Sequence, residues 1–399
     1  RGNITTGAIT INRPDDSLTL SDVGNNEDLS TLRDGRGLIL RSGLGTLSGN
    51  LAQPDLVGDV PQASVNYPTR SSAGNLNING NITSDFGGPL TVILEANGDI
   101  GSISTRDINS TVFSGNGGNI SITANGDIKT GKLMNFVDKG GEGNAGDITL
   151  TSMNRNITTD GDIISSTQSG KGGNIELNAP QGQITTTERT INAQSFNGVA
   201  GNVTLTAAGD IRSGNIAASS NNNDINRFSE IRLESTEGSV FLNQARLSTT
   251  NTGSRYAGNI FIKAGNNASN NVEITGNRAF DENGNEIGDL NISTDGYFGR
   301  IFIDAGGEVS IKDSRLTART QQGLPNPAEG IDRQAGDINI TSQNGNIDIN
   351  NSSINSSTSV KTNININAGN INIDAKKGSV SLDNAAKIDS NSSGKGDPG

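Results

Sequence analysis

A unit of the form Gly-(Asn/Asp)-Ile-x-(Ile/Leu)-x-Ala-x-Gly-(Asp/Asn)-Ile recurs along this chain, and nothing else in it narrows the possible folds as far. The first apolar residue of successive units falls at Val92, Ile120, Ile148, Ile175, Val203, Ile231 and Ile260, so the steps are 28, 28, 27, 28, 28 and 29 residues. The frame continues at Ile301, Ile338 and Ile371 with steps of 41, 37 and 33, as expected if those units carry insertions. Within each unit apolar and polar residues alternate, as in Ile120-Ser121-Ile122-Thr123-Ala124, which is the period of a strand and not of a helix.

A second landmark follows six or seven residues after the first in most units, at Gly98, Gly126, Gly182, Gly209, Gly238, Gly307, Gly345 and Gly378. A glycine recurring at that corner predicts a turn with positive φ. After it come a second short strand (Asp127-Ile128), often a third apolar pair (Ile216-Ala217, Leu247-Ser248), and a return loop such as Ser169-Gly170-Lys171-Gly172-Gly173. Three strands and three turns in about 28 residues cannot close a sandwich. They make one triangular coil whose strands pair with the coils above and below. The expected fold is therefore all-β, a right-handed parallel β-helix in which each coil buries its inward residues by stacking. Ile120, Ile122, Ala124 and Ile128, then Ile148, Leu150 and Ile157, are expected inside, with Ser121, Thr123, Thr149 and Thr151 outside. Stacking explains how a chain with only 31% hydrophobic residues can hold a core.

Residues 1–73 contain strand-like runs (Ala8–Ile11, Ser17–Leu20, Gly37–Leu40) outside the frame, and Pro54, Pro61 and Pro68 fall where no regular internal strand can run. This part is expected to form irregular coils with an excursion, and residues 74–399 the regular repeats, with insertions near 277–294 and 318–335. The same long units carry Phe261 and Phe302 at outward positions, predicted to be neighbours beneath an insertion or at a protein contact. The closing residues 393–399 resemble the return loop 169–173, which predicts that the repeat continues in a longer polypeptide.

The net charge of −12 predicts no nucleic-acid partner, because nothing marks a phosphate-tracking surface. Cys, His and Trp are absent, which removes thiol and imidazole nucleophiles and the commonest zinc ligands. No apolar run approaches the ~20 residues that span a bilayer, so no membrane insertion is expected.

The units Gly118-Asn119-Ile120-Ser121-Ile122-Thr123-Ala124-Asn125-Gly126-Asp127-Ile128 and Gly201-Asn202-Val203-Thr204-Leu205-Thr206-Ala207-Ala208-Gly209-Asp210-Ile211 resemble the repeats of filamentous-haemagglutinin-type exoproteins. These are the large two-partner-secreted adhesins of Gram-negative bacteria, and the likeness is greatest to their Asn-rich cyanobacterial relatives. It covers roughly residues 74–399. No segment matches the Asn-rich motifs of the family's N-terminal secretion module. The resemblance implies export through an outer-membrane secretion partner, an extracellular or cell-surface location, and a β-helical fibre for attachment, aggregation or matrix building. Its partners would be further fibre or matrix chains, self-association, or surface polysaccharide.

No catalytic, cofactor-binding or metal-binding residue is assigned. The competing function is a carbohydrate-active or carbohydrate-binding β-helix, tested by the column preceding the second strand: Asp99, Asp127, Asn156, Gln183, Asp210, Ser239, Asn271, Glu308, Asn346 and Ser379. Only Asp99 and Asp127 are adjacent acids in it, and the plainer expectation is a corner of short polar side chains bonding the turn backbone. A calcium-binding Gly-Gly-x-Gly-x-Asp tandem is absent, and the outward Thr pairs do not persist as an ice-binding array. Lys171 lacks the rest of a phosphate-loop pattern. Phe113, Phe196, Phe228, Tyr256 and Phe298 precede first strands at one corner, which favours a structural stack over sugar platforms.

Overall fold

The structure, a computed structural model, describes residues 4–6, 9–11, 37–42, 75–84, 90–96, 99–113, 115–138, 143–221, 228–251, 256–277, 279–280, 286–287, 292–320, 334–358 and 367–392. Among them there is no helix, and parallel strands stack as a β-solenoid with equivalent strands roughly 29 residues apart. The chain divides into two compact units, Arg1–Thr185 and Thr186–Gly399.

In the first unit, one face is built from Gly37–Ser42, Thr91–Ala96, Ile120–Ala124, Ile148–Ser152 and Ile175–Ala179. Their landmark residues pair in register as Leu38, Val92, Ile120, Ile148 and Ile175. A second ladder runs through Ile4, Leu76, Ile103, Ile128, Ile157 and Ile184. A third runs through Ile9, Ile82, Ile108, Leu133 and Ile163. The N-terminal strands thus stand in the same ladders as the repeats. Leu38 and Val92 pair although 92 − 38 = 54 residues separate them, because residues 43–74 intervene between Gly37–Ser42 and Leu76–Ile78 within a single coil. The division at residue 73 falls inside that coil. Ser17–Leu20, Gly98 and the three prolines lie outside the described residues.

In the second unit the first-face ladder is Val203, Ile231, Ile260, Ile301, Ile338 and Ile371. The second-face ladder is Ile211, Val240, Val272, Val309, Ile347 and Val380. The third is Ile216, Leu247, Ile292, Leu316, Ile354 and Ile388. Inside the expected 277–294 insertion, Ala279–Phe280 and Glu286–Ile287 pair antiparallel, between the second and third strands of one coil. Most of the 318–335 insertion and all of 393–399 lie outside the described residues.

The alternation places the core as the repeat predicts. Ile120, Ile122, Ala124, Ile128, Ile148, Leu150 and Ile157 are buried, while Ser121, Thr123, Thr149 and Thr151 remain partly exposed. Each coil contributes few apolar side chains, and each closes the core of its neighbours.

The corner glycines have a different cause from the predicted one. None of those described has positive φ; that conformation belongs to loop residues Gly115, Gly170 and Gly296. The corner glycines are needed because successive coils approach backbone to backbone. A Cβ on Gly182 would stand 1.9 Å from the Arg155 carbonyl oxygen, and one on Gly238 would stand 2.4 Å from the Gly209 carbonyl carbon. Gly182→Ala should therefore destabilise the first unit by about 1–3 kcal/mol, the range for forcing atoms into a packed site. Asn, which tolerates positive φ, should do no better there. Denaturant melts of both variants check this, and wild-type stability in Gly182→Asn would restore the turn explanation.

Candidate functional surface

The polar corner before the second strand forms a hydrogen-bonded column. The Asn75 Oδ1 accepts from the Ser102 N–H at 2.9 Å, the Ser102 Oγ from Asp127 N–H at 3.0 Å, the Asp127 carboxylate from Asn156 N–H at 3.0 Å, and the Asn156 Oδ1 from Gln183 N–H at 2.9 Å. In the second unit Asp210 accepts from Ser239 N–H at 3.0 Å, Ser239 Oγ from Asn271 N–H at 2.9 Å, and Asn271 Oδ1 from Glu308 N–H at 2.8 Å. Asn346 likewise accepts from Ser379 N–H at 3.0 Å. Short side chains are required, because the acceptor must reach an amide one strand spacing away, ~4.8 Å. Asp99 is not in this column. Ile100 is exposed, the second strand of that coil starts at Ile103, and Ser102 takes the corner. The single adjacent acid pair of the column, Asp99 and Asp127, is therefore not a pair.

The other corners repeat the device. Before the first strand, Asn119 accepts from Asp147 N–H at 2.9 Å and Asp147 from Asn174 N–H at 2.7 Å. Asn202, Asn259 and Asp337 do the same for Glu230, Arg300 and Asn370 in the second unit. Before the third strand, Asp107 accepts from Lys132 N–H at 2.8 Å and Asn215 from Arg246 N–H at 2.8 Å.

A set of inward polar residues escaped the sequence reading. Ser110 Oγ donates to the Leu90 carbonyl at 2.8 Å, and Asn135 and Ser165 donate to the carbonyls of Gly118 and Gly146. Thr249, Thr294, Ser356 and Ser390 donate to Gly258, Gly299, Gly336 and Gly369 at 2.7–2.9 Å. Each clasps the third strand to the glycine-led segment before a first strand. The signal was present: every donor lies two residues after its third-strand apolar landmark, as in Ile163-x-Ser165 and Ile354-x-Ser356.

On the outward side of the first face in the second unit, Phe261 and Phe302 stack with centroids 4.8 Å apart and planes 1° from parallel. The Arg232 guanidinium lies 4.5 Å from the Phe261 centroid. Glu230, Glu234 and Lys263 flank the pile with ion pairs to Arg232 at 2.8 and 3.8 Å and between Lys263 and Glu234 at 3.4 Å. Both rings are partly exposed. On the second face Arg212 lies 3.9 Å above the Phe241 ring and pairs with Asp210 at 3.0 Å. The stacked rings repeat at the strand spacing, so the face of one ring covers the face of the next and edges point outward. That arrangement strengthens the stack of coils and offers no open ring face between the two phenylalanines to a sugar.

The corner aromatics stack only in part. Tyr256 and Phe298 stack with centroids 5.4 Å apart, whereas Phe113, Phe196 and Phe228 are more than half exposed.

One carboxyl is perturbed. Burial, then the hydrogen bond and charge of Asp348, then the charge of Glu273, raise the Glu308 carboxyl above the ordinary carboxylate range. Among the described residues no group of three or more Asp or Glu side chains could hold a metal ion, and no helix is long and apolar enough to cross a membrane. Comparisons with protein-family models, with curated proteins and with solved structures return no match.

Because the folded chain holds the Glu308 proton more tightly than the unfolded chain, its contribution is fully present below the ordinary carboxylate pKa. It is lost as pH rises through the raised value. Glu308→Gln should therefore stabilise the second unit at neutral pH and leave it unchanged in acid. Denaturant midpoints across that range check this, and a gain confined to low pH would contradict it.

Proposed function

We propose that this chain is a structural or adhesive rod segment of a large secreted or cell-surface fibre, serving surface attachment, aggregation or matrix building. The observation that carries the reading is where the recurring polar residues are used. Before first, second and third strands alike they bond amides of the next coil, so the polar residues that recur in the repeat serve stacking. The resemblance of the Gly118–Ile128 and Gly201–Ile211 units to filamentous-haemagglutinin-type repeats supports the same reading. On it, the polypeptide is exported through an outer-membrane partner to the Gram-negative outer surface. It associates with its own kind, with matrix chains or with surface polysaccharide, and it has no catalytic centre, nucleic-acid partner or membrane insertion.

The rival is a carbohydrate-active β-helix, and Glu308 with Asp348 is the observation in its favour. Glycosidase carboxyls stand about 5–9.5 Å apart to admit the sugar and its nucleophile. On the rod reading the raised Glu308 carboxyl follows from its burial and from the neighbouring Asp348 and Glu273 charges, with no catalytic role for it.

Beads coated with the protein, applied to bacterial cells and to polysaccharide films, separate the two. A rod segment should raise bead attachment several-fold over albumin-coated beads and leave film mass unchanged. Film erosion with release of reducing ends, without added attachment, would contradict the proposal.

A further inference from the structure

The chain carries several Asn-Gly dipeptides, and five of them lie within the described residues: Asn79-Gly80, Asn116-Gly117, Asn125-Gly126, Asn197-Gly198 and Asn344-Gly345. Asn-Gly is the dipeptide most prone to spontaneous deamidation, because no Cβ shields the following amide. The glycine nitrogen attacks the asparagine Cγ, a C–N bond forms as the Cγ–Nδ2 bond breaks, and Nδ2 leaves as ammonia. Water then opens the resulting succinimide at either carbonyl, to aspartate or isoaspartate. The reaction needs a free glycine N–H and backbone freedom to bring it onto Cγ.

The fold treats the five sites unequally. Gly117 N–H donates to the Asn144 carbonyl at 2.8 Å, and Asn116 Oδ1 is held by the Asn144 N–H at 3.0 Å. Gly126 N–H donates to the Gly101 carbonyl at 2.7 Å. Gly345 N–H donates to Ser342 Oγ at 3.0 Å, while the Asn344 amide donates to the Gly306 carbonyl at 2.9 Å and accepts from Lys377 at 2.8 Å. In each case the nucleophile is engaged by a neighbouring coil or by its own turn. Gly80 and Gly198 make no such bond to a described residue, and Asn79 and Asn197 are exposed. Asn116 is exposed too, so exposure does not separate the classes; the glycine hydrogen bond does.

We propose that Asn79 and Asn197 are sites of spontaneous succinimide-mediated modification in the folded protein, and that coil stacking protects Asn116, Asn125 and Asn344 although they share the reactive dipeptide. Conversion at Asn79 adds a charge and, as isoaspartate, a backbone methylene, two residues before Asn81, whose side chain accepts from the Asp107 N–H of the next coil at 3.4 Å.

The test is peptide mapping by mass spectrometry after incubation in warm, mildly alkaline buffer, with the urea-unfolded chain as reference. Asn79 and Asn197 should convert in the native protein at close to their unfolded rates. Asn116, Asn125 and Asn344 should be at least about tenfold slower than unfolded, the factor that a local opening populated one time in ten imposes. Gly198→Ala should suppress conversion at Asn197 alone. Native conversion at Asn125 or Asn344 as fast as at Asn197, protection of Asn79 and Asn197, or undiminished conversion at Asn197 in Gly198→Ala would each overturn the proposal.

Discussion

The hydrogen bond from a backbone amide in one coil to the Asn, Asp or Ser side chain at the same corner of the neighbouring coil is the contact on which this architecture depends. Strand amides find carbonyls in the adjacent coil. At a corner the chain turns away from that ladder, and an amide left without a partner costs about as much as a lost hydrogen bond. A side chain one strand spacing away supplies the acceptor, as Asp127 does for Asn156 and Asn156 for Gln183. Each such bond is worth about 1 kcal/mol. Its larger effect is on register, since a slip of one residue would break every corner bond of the coil and turn its isoleucines outward.

Fixing register at the corners frees the loops. Leu38 and Val92 remain paired across 54 residues, and Ile260 and Ile301 across 301 − 260 = 41. Closing a longer loop adds entropy only slowly, so insertions can lengthen a coil while both ends stay locked. The same tight stacking explains the corner glycines and the leading glycines: a Cβ on Gly369 would stand 2.2 Å from the Gly336 carbonyl oxygen. Inward hydroxyls such as Thr294 and Ser356 then close each coil onto the carbonyl that the glycine exposes.

Much of the fold was legible in the sequence because a solenoid writes the same contact at a fixed interval. The spacing of Ile120, Ile148 and Ile175 foretold a ladder, and the alternation around them foretold which side chains are buried. Phe261 and Phe302 were placed together for the same reason. What stayed hidden was the cause behind a correct pattern. A recurring glycine can signal positive φ or a close approach, and one chain's sequence does not carry the distance between coils. Asp99 enters the predicted column because Ile100 looks like a strand residue, and only the exposure of Ile100 shows that the corner falls at Ser102 instead. The inward Ser, Thr and Asn clasps are hidden in the sequence because polarity reads as outward. The Glu308–Asp348 pair depends on side-chain directions at a corner, which no period encodes.

Amide hydrogen exchange resolved by residue tests the corner bonds most directly. If side chains of the neighbouring coil hold them, the amides of Asn156, Gln183, Ser239, Asn271 and Glu308 should exchange as slowly as those of Ile157, Val240 and Val309 in the strands beside them. Corner amides that exchange at unprotected rates while the flanking strand amides stay protected would contradict the account.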